Sequence, residues 1–352
     1  MQHDLSLWLN HLGAEVVGLS LDAPSKPSNF AASLVNEVVT DCRIDIRDSN
    51  DVAKLILKMQ PDFVFHLAAQ SLVRPSYDNP LETMTTNAIG SANILDALRF
   101  LDKKVVAIMI TSDKAYDNVE WVWGYRETDR LGGKDPYSAS KGMAEFAVRS
   151  YFESFFNNPD SNVRVGIARA GNVIGGGDWA VDRIVPDCMK AWPHDKKVDI
   201  RYPNATRPWQ HVLEPLGGYI ALAIDLVESG NHNGEAYNFG PSTDQNYSVA
   251  RLIEEMAKYW SKVKWNNTSN DVDHVHEAGL LKLNCDKVLF DLGWHSVLQF
   301  EQTVKMTVEW YKHYYQNQEK SMYDFSISQI NEYTKLANLR GISWTKKLLK
   351  MY

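Results

Sequence analysis

Val105-Val106-Ala107-Ile108-Met109-Ile110 runs straight into Thr111-Ser112-Asp113-Lys114, and the fold turns on this stretch. Six apolar residues follow one another with no polar alternation, then four polar ones arrive together. A short apolar run without alternation fits a strand covered on both faces, as in a parallel sheet. Val16–Leu21, Asp62–Ala69 (ending in Gln70) and Val163–Ala170 read the same way. Helical segments separate them: Ser49–Met59, Asn87–Leu101 and Ser138–Phe156. Ahead of these, Leu5, Trp8, Leu9 and Leu12 repeat at helical spacing, with Gly13 where a C-terminal cap belongs and a Pro- and Ser-rich loop at Asp22–Asn29. Strands alternating with helices predict an α/β chain with a doubly wound parallel sheet. After Gly171 the rhythm changes. Loops lengthen, Gly and Pro cluster, and helices such as Val249–Trp260 stand between short strands. A second, smaller lobe is expected there, with the polar tail from Gln316 onward at the periphery.

Composition bounds the possibilities. The 352 residues are 44% apolar and 23% charged, which suits a globular chain with a sizeable core. A net charge of −7 leaves no basic footprint for nucleic acid. Cys42, Cys188 and Cys285 lie far apart with no CxxC pairing, which argues against a disulfide framework or a metal site and for a reducing compartment. No apolar run reaches the roughly 18 residues of a membrane span. No Lys or Arg precedes the first apolar stretch, so it does not read as a signal peptide, and a cytoplasmic protein is expected.

Ligands of open parallel sheets sit at the carboxyl ends of the strands. Asp45-Ile46-Arg47-Asp48, Leu67-Ala68-Ala69-Gln70 and Ser112-Asp113-Lys114 occupy such ends. Any one of them alone fits a loop or a helix cap as well. The sharper signal is Asp135-Pro136-Tyr137-Ser138-Ala139-Ser140-Lys141. Tyr137 and Lys141, four apart, share one helix face. An ammonium beside a phenol favours phenolate and draws its pKa down from about 10, giving a base for a sugar hydroxyl.

With these residues in hand, the chain resembles the extended short-chain dehydrogenase/reductases, and among them the nucleotide-sugar 4,6-dehydratases. The resemblance runs from about Leu5 to about Lys335. It rests on His66 to Gln70, Thr111 to Asp117, Trp121-Val122-Trp123-Gly124-Tyr125-Arg126-Glu127 and Tyr137 to Lys141. Arg169-Ala170-Gly171-Asn172-Val173-Ile174-Gly175-Gly176-Gly177-Asp178-Trp179 and Arg207-Pro208-Trp209-Gln210-His211-Val212 complete it. Related dTDP-glucose dehydratases carry Glu where this chain has Lys114, so the Asp-Lys pair resembles the CDP-sugar branch.

The resemblance implies a Rossmann-type doubly wound parallel sheet with a smaller C-terminal α/β substrate lobe. It implies a lyase that converts CDP-glucose to its 4-dehydro-6-deoxy form plus water, with NAD as cofactor. Oxidation at C4 comes first, then elimination across C5 and C6, then return of the hydride to C6. Tyr137 and Lys141 are the implied O4 base and its partner, Ser112 the O4 hydrogen-bonding residue, Asp113 the acid at C6 and Lys114 the candidate base at C5, with orientation of Asp113 or the keto oxygen as its other reading. Asp113 must then be protonated near neutral pH, which requires a desolvated site. Lys114 must be neutral, and the cation Lys141 pushes it that way. Ser20, Asp45, Ile46, Leu67, Ala68, Ala69 and Thr86, with Asn87 nearby, are the implied cofactor side. Gln70, Asn172, Arg183, Arg207 and Asn238 are the implied substrate side. Arg74, His276 and Lys282 are weaker candidates, Arg74 fitting a surface salt bridge equally, and His211 fits a packed histidine. NAD rather than NADP is inherited from the resemblance, since no acidic residue ends the strand at Ser20 and Asp22 lies two residues on. A homodimer through the helices at Asn87–Leu101 and Ser138–Phe156 is likewise implied. Two other readings stand beside this one: a catalytically impaired nucleotide-sugar-binding homologue, and an epimerase or reductase of the same superfamily.

One departure stands out. The family opens with a strand and a Gly-rich turn that cradles the cofactor pyrophosphate. Here Met1-Gln2-His3-Asp4 occupies the place of the turn's last residues. The expectation is therefore a cofactor-binding domain over 1–172 that lacks its central strand, between those ending near Leu21 and Gln70. Residues 205–239 should return to it, and 173–352 should form mainly the substrate lobe. A chain that continues upstream and a short form with weakened NAD binding both fit.

Overall fold

A computed structural model describes residues 1–269, 280–317 and 320–348. Candidate His276 falls outside them. The strands that matter are β1 (Val17–Ser20), β2 (Thr40–Arg43), β3 (Phe63–His66), β4 (Val105–Ile110), β5 (Val163–Ala170) and β6 (Ala236–Phe239). The helices are α1 (Gln2–His11), α2 (Ser49–Met59), α3 (Gly90–Leu98), α4 (Pro136–Tyr151), α5 (Leu213–Glu228), α6 (Phe300–Gln316) and α7 (Tyr323–Leu339). β3, β4, β5 and β6 form one parallel sheet in that spatial order, and β1 pairs with β2 in a second. No ladder joins β1 to β3 among the described residues. The two sheets nevertheless share cores. Leu19 and Val64 pack against one apolar cluster, and Val39 and Phe65 against another.

β4 shows why its sequence does not alternate. Val106 and Ile108 enter the cluster beneath α5, with Leu216, Tyr219 and Leu222. Val105, Ala107 and Met109 enter the opposite cluster, with Ile94, Leu98 and Val148 from α3 and α4. Pleating sends successive side chains to opposite faces, so a strand with two cores needs apolar residues throughout. Each residue from Val105 to Met109 is at most 5% exposed.

A third cluster gathers Trp179, Cys188, Met189, Trp192, Leu252, Phe300 and Trp310, and it is the core of the region after Gly171. The expectation of a peripheral tail is overturned. In α7, Ile330, Tyr333 and Ala337 are buried, and Trp344 beyond it is 1% exposed. Trp8 of α1 meets the Tyr333 and Trp344 rings edge-on, at 5.7 and 5.6 Å. The apolar residues of α7 recur at i, i+3 and i+7, a stripe narrow enough to vanish in a polar average but sufficient to seat one face. The helix expected over Asn87–Leu101 differs too. It begins at Pro80, runs through a π-helical turn at Thr85–Ile89 and continues as α3.

Candidate active site

Two chain segments build the centre. β4 ends at Ile110, and a 3₁₀ turn at Asp113–Ala115 follows, with Ser112 as its cap accepting the Lys114 N–H at 3.2 Å. Opposite, Asp135 caps α4 by accepting the Ser138 N–H at 2.9 Å and the Ser138 hydroxyl at 2.6 Å. Pro136 supplies the fixed φ of a first helical residue. Tyr137 therefore sits on the first turn and Lys141 one turn later. Asn87, in the π-turn, locks the two halves together. Its amide donates to the Gln70 carbonyl at 2.9 Å and to Ser140 Oγ at 2.8 Å, and its Oδ1 accepts the Gln70 N–H at 2.8 Å.

The groups meet in a short chain. Tyr137 lies close enough to Ser112 and Asp113 for both to act on its phenol. Ser112 Oγ donates to Asp113 Oδ1 at 3.0 Å, and Asn172 Nδ2 donates to Asp113 Oδ2 at 3.2 Å. Asn172 takes a φ of 54° to reach it. Gly171 lies so close that a Cβ there would fall 1.8 Å from Asp113 Oδ2, so only glycine fits. Burial raises the Asp113 carboxyl above its usual range, against the opposing pull of Lys114. Burial also raises the Tyr137 phenol, opposed by Ser112. Asp113 and Asp135 raise it further, and Arg183 opposes them. Lys141 is itself desolvated and falls to about 8, with Glu145 opposing the fall.

Behind this wall lies a buried ion pair. Arg169 Nε donates to Glu145 Oε1 at 2.6 Å, its NH2 group pairs with Oε2, and Thr111 Oγ1 donates to Oε1 at 2.6 Å. Arg169 also donates to the Tyr116 hydroxyl at 2.6 Å, which donates to Asn238 Oδ1 at 2.8 Å. Asn238, a substrate-side candidate, is thus engaged within the protein. It is fully buried, and its amide is spent on the Tyr125 and Asn284 carbonyls. Gln70 is likewise engaged: its side chain bonds both Leu72 backbone groups and Thr83.

Arg207 and Arg183 lie close enough for their charge to bear on Asp113 and Tyr137 respectively. Arg183 also pairs with Asp178 at 3.1 Å. Arg74 forms a surface pair with Asp182 at 3.2 Å. His211, 1% exposed and lowered to about 4 by burial, is a packed histidine. Beside Asp113 opens a cavity of about 10 Å³, lined also by Asn172, Gln210, Ser242, Gln245 and Lys282. The Gln210 and Gln245 Oε1 atoms are buried with no hydrogen-bond partner among the described residues. Sequence reading named neither as a ligand. Gln210 stood inside a quoted motif, but no local signal marked Gln245.

The cofactor-side candidates gather at strand ends. Leu67, Ala68 and Ala69 are half-buried just past β3, and Thr86 half-buried in the π-turn. Ile46 packs on Gly90, where a Cβ would fall 2.6 Å from its Cδ1. Ser20 Oγ accepts from Arg43 at 3.2 Å, and the Asp45 carboxylate is gripped by Arg47. The residues fit a dinucleotide at one decisive point. Lys141, 6% exposed, has no hydrogen-bond acceptor for its ammonium among the described residues, and a ribose diol would supply one.

A Rossmann-type sheet with a Tyr and Lys one helical turn apart at its carboxyl edge defines a short-chain dehydrogenase/reductase. Residues 5–307 match the model of the GDP-mannose 4,6 dehydratase family, and the chain belongs to that family. A CDP-glucose 4,6-dehydratase of Salmonella typhimurium is 44% identical over 312 residues, covering 88% of this chain and 86% of that one. A human dTDP-D-glucose 4,6-dehydratase is 25% identical over 295 residues, covering 80% and 79%. Among solved structures, a UDP-glucose 4-epimerase of Thermotoga maritima with UDP-glucose superposes with a TM-score of 0.74 at 20% identity, over 90% of this chain and 96% of that one. A dTDP-glucose 4,6-dehydratase of Streptomyces venezuelae with NAD bound gives 0.70 at 21% identity, over 88% and 93%. These likenesses show the fold.

Proposed function

We propose that the protein is an NAD-dependent nucleotide-sugar 4,6-dehydratase acting on CDP-glucose, yielding CDP-4-dehydro-6-deoxyglucose and water. One observation carries the reading. A phenol suited to the O4 proton lies beside Ser112, whose hydroxyl bonds a buried carboxyl raised above its usual range, with Lys114 next in line. An epimerase or reductase needs no acid at C6. NAD, when bound, supplies a two-electron acceptor that ends each cycle as it began. Tyr137 takes the proton from O4 and Ser112 holds that oxygen. Asp113 protonates the C6 hydroxyl so that it departs as water, and Lys114 accepts the C5 proton. Arg207 and Arg183 suit a diphosphate, which guanidinium matches in bidentate geometry. Lys141 and the strand-end residues Ser20, Asp45, Ile46, Leu67, Ala68, Ala69 and Thr86 would hold the cofactor. Residues 1–172 would serve the cofactor and 173–352 mainly the nucleotide sugar.

The 44% identity to the Salmonella enzyme supports CDP-glucose over other nucleotide sugars. Deoxysugar supply for surface polysaccharide, such as lipopolysaccharide O-antigen, fits this product class. Free cysteines support a cytoplasmic setting. No helix among the described residues is long and apolar enough to cross a membrane. Exposed Leu81, Ile89, Met143 and Phe146 along the two adjacent helical segments support a homodimer. A second reading, a nucleotide-sugar-binding homologue with weakened NAD affinity, is favoured by the break between β1 and β3. Incubating folded protein with CDP-glucose and NAD separates them. The 4-keto-6-deoxy product supports the dehydratase, and its absence rejects it.

A further inference from the structure

Tyr137, Lys141 and Glu145 follow one another at four-residue spacing on α4, so they share one face of the helix. All three are buried, at 8%, 6% and 2% exposure. The proposed chemistry uses the first two and leaves Glu145 without a part. Yet Glu145 is where three segments of the site meet. Its Oε1 accepts the Thr111 hydroxyl at 2.6 Å, and Thr111 immediately precedes Ser112-Asp113-Lys114. The same oxygen accepts Arg169 Nε at 2.6 Å, and Oε2 pairs with the Arg169 NH2 group. Arg169 stands three residues before Asn172, which donates to Asp113 at 3.2 Å. It also donates to the Tyr116 hydroxyl at 2.6 Å and the Glu127 carbonyl at 3.0 Å, and Tyr116 closes the Asp113–Ala115 turn. One carboxylate thus joins the ends of β4 and β5 to α4.

We infer that Glu145 is a positioning residue: it fixes the Asp113 turn against the helix face that carries Tyr137 and Lys141, and it sets a fixed negative charge one helical turn from the Lys141 ammonium. The inference deepens the dehydratase reading, and its positional half rests on that reading. On a surface such a charge would be screened, but here water is excluded and the attraction is stronger. Around Lys141, among the described residues, stand Tyr137 and Glu145 on its own helix and His66 at the end of β3. Burial lowers His66 to about 3, so it is neutral and offers no opposing cation. Glu145 is what opposes the burial that draws Lys141 down to about 8.

Two substitutions separate position from charge. Glu145→Gln keeps an acceptor for Thr111 and Arg169 and removes the charge. In the free protein, with lysine carrying carbon-13 at Cε, NMR follows the Lys141 resonance against pH, assigned by its loss in Lys141→Met. Its midpoint should fall by about one pH unit in Glu145→Gln. With CDP-glucose and NAD, the alkaline limb of kcat should move the same way. Thr111→Val keeps the bulk and cuts only the tie to β4. It should leave the Lys141 midpoint in place and lower kcat about tenfold with KM unchanged. Thr111→Ser, which keeps the hydroxyl, should restore the rate. If Glu145→Gln is unfolded, the double variant Glu145→Gln, Arg169→Met removes the stranded cation and should show the same fall in midpoint. A midpoint that stays in place without the carboxylate would overturn the electrostatic role. Wild-type kcat in Thr111→Val would overturn the positional one and leave Glu145 a partner of Arg169 only. No product from the wild-type protein would reject the dehydratase reading and the positional role with it, while the NMR titration still decides the charge.

Discussion

β4 and β5 pair over six residues each, and both are buried almost end to end. β1 and β2 pair over four, β1 half-buried and β2 largely exposed. The first pair leads into the Ser112-Asp113-Lys114 turn and is backed by the Glu145–Arg169 ion pair, sealed at 2% and 4% exposure. The second pair is stitched by Arg43, which bonds Ser20 and Asp41 and lies 4.6 Å from the Phe30 ring centre. The contrast teaches that the two halves of the carboxyl edge do different work. Proton-transfer groups need fixed positions and low dielectric, which only a deep sheet supplies. The shallow pair suits a ligand portion that stays accessible, as the adenosine of the proposed cofactor would.

Substitutions can break this contrast, and the largest effect belongs to the deep half. Tyr137→Phe should lower turnover of CDP-glucose about 10³-fold with an unchanged circular dichroism spectrum, since it removes a general base without disturbing packing. Arg169→Met strands Glu145 as a buried, unpaired acid and should cost about 3–5 kcal/mol in a denaturant melt. Replacing both partners by apolar residues should recover most of that loss.

A pH prediction sharpens the comparison within the deep half. Glu214 of α5, unlike Glu145, has no cation in contact among the described residues. It accepts the Val297 and Leu298 N–H groups and the Tyr333 hydroxyl, and burial raises it to about 7. The folded state therefore binds its proton more tightly than the unfolded chain. Its contribution is fully present below about 4.5 and is lost as pH rises through 7, a swing of about 3 kcal/mol. Glu214→Gln should melt with a flatter pH dependence than the wild type between pH 5 and 8. The smallest effect is expected in the shallow half. Arg43→Ala should cost about 1 kcal/mol or less, because its ion pairs are partly solvated. Backbone amides of β1 and β2 should exchange faster than those of β4 and β5, and added NAD should slow the former more.

Much of the deep half was legible in the sequence because its signals are local. An unbroken apolar run, a Pro-initiated helix and Tyr-x-x-x-Lys spacing each reflect neighbouring residues. The Ser112-Asp113-Lys114 cluster and Tyr137 meet as those signals imply. What the sequence hid depends on long-range partners. Asn238 looked like a polar ligand at a strand end, yet Tyr116, Tyr125 and Asn284 consume its amide. Gln245 reaches the cavity only because the fold brings its loop to Asp113. α7 was misjudged because its apolar stripe is one residue wide.

The central claim is that one buried cluster oxidises C4 and expels the C6 oxygen of the same sugar. CDP-glucose carrying deuterium at C4 tests it directly when incubated with the protein and NAD and read by NMR. The account expects the label at C6 of a 4-keto-6-deoxy product. Label retained at C4, or a 4-epimer in place of a 6-deoxy sugar, would contradict it.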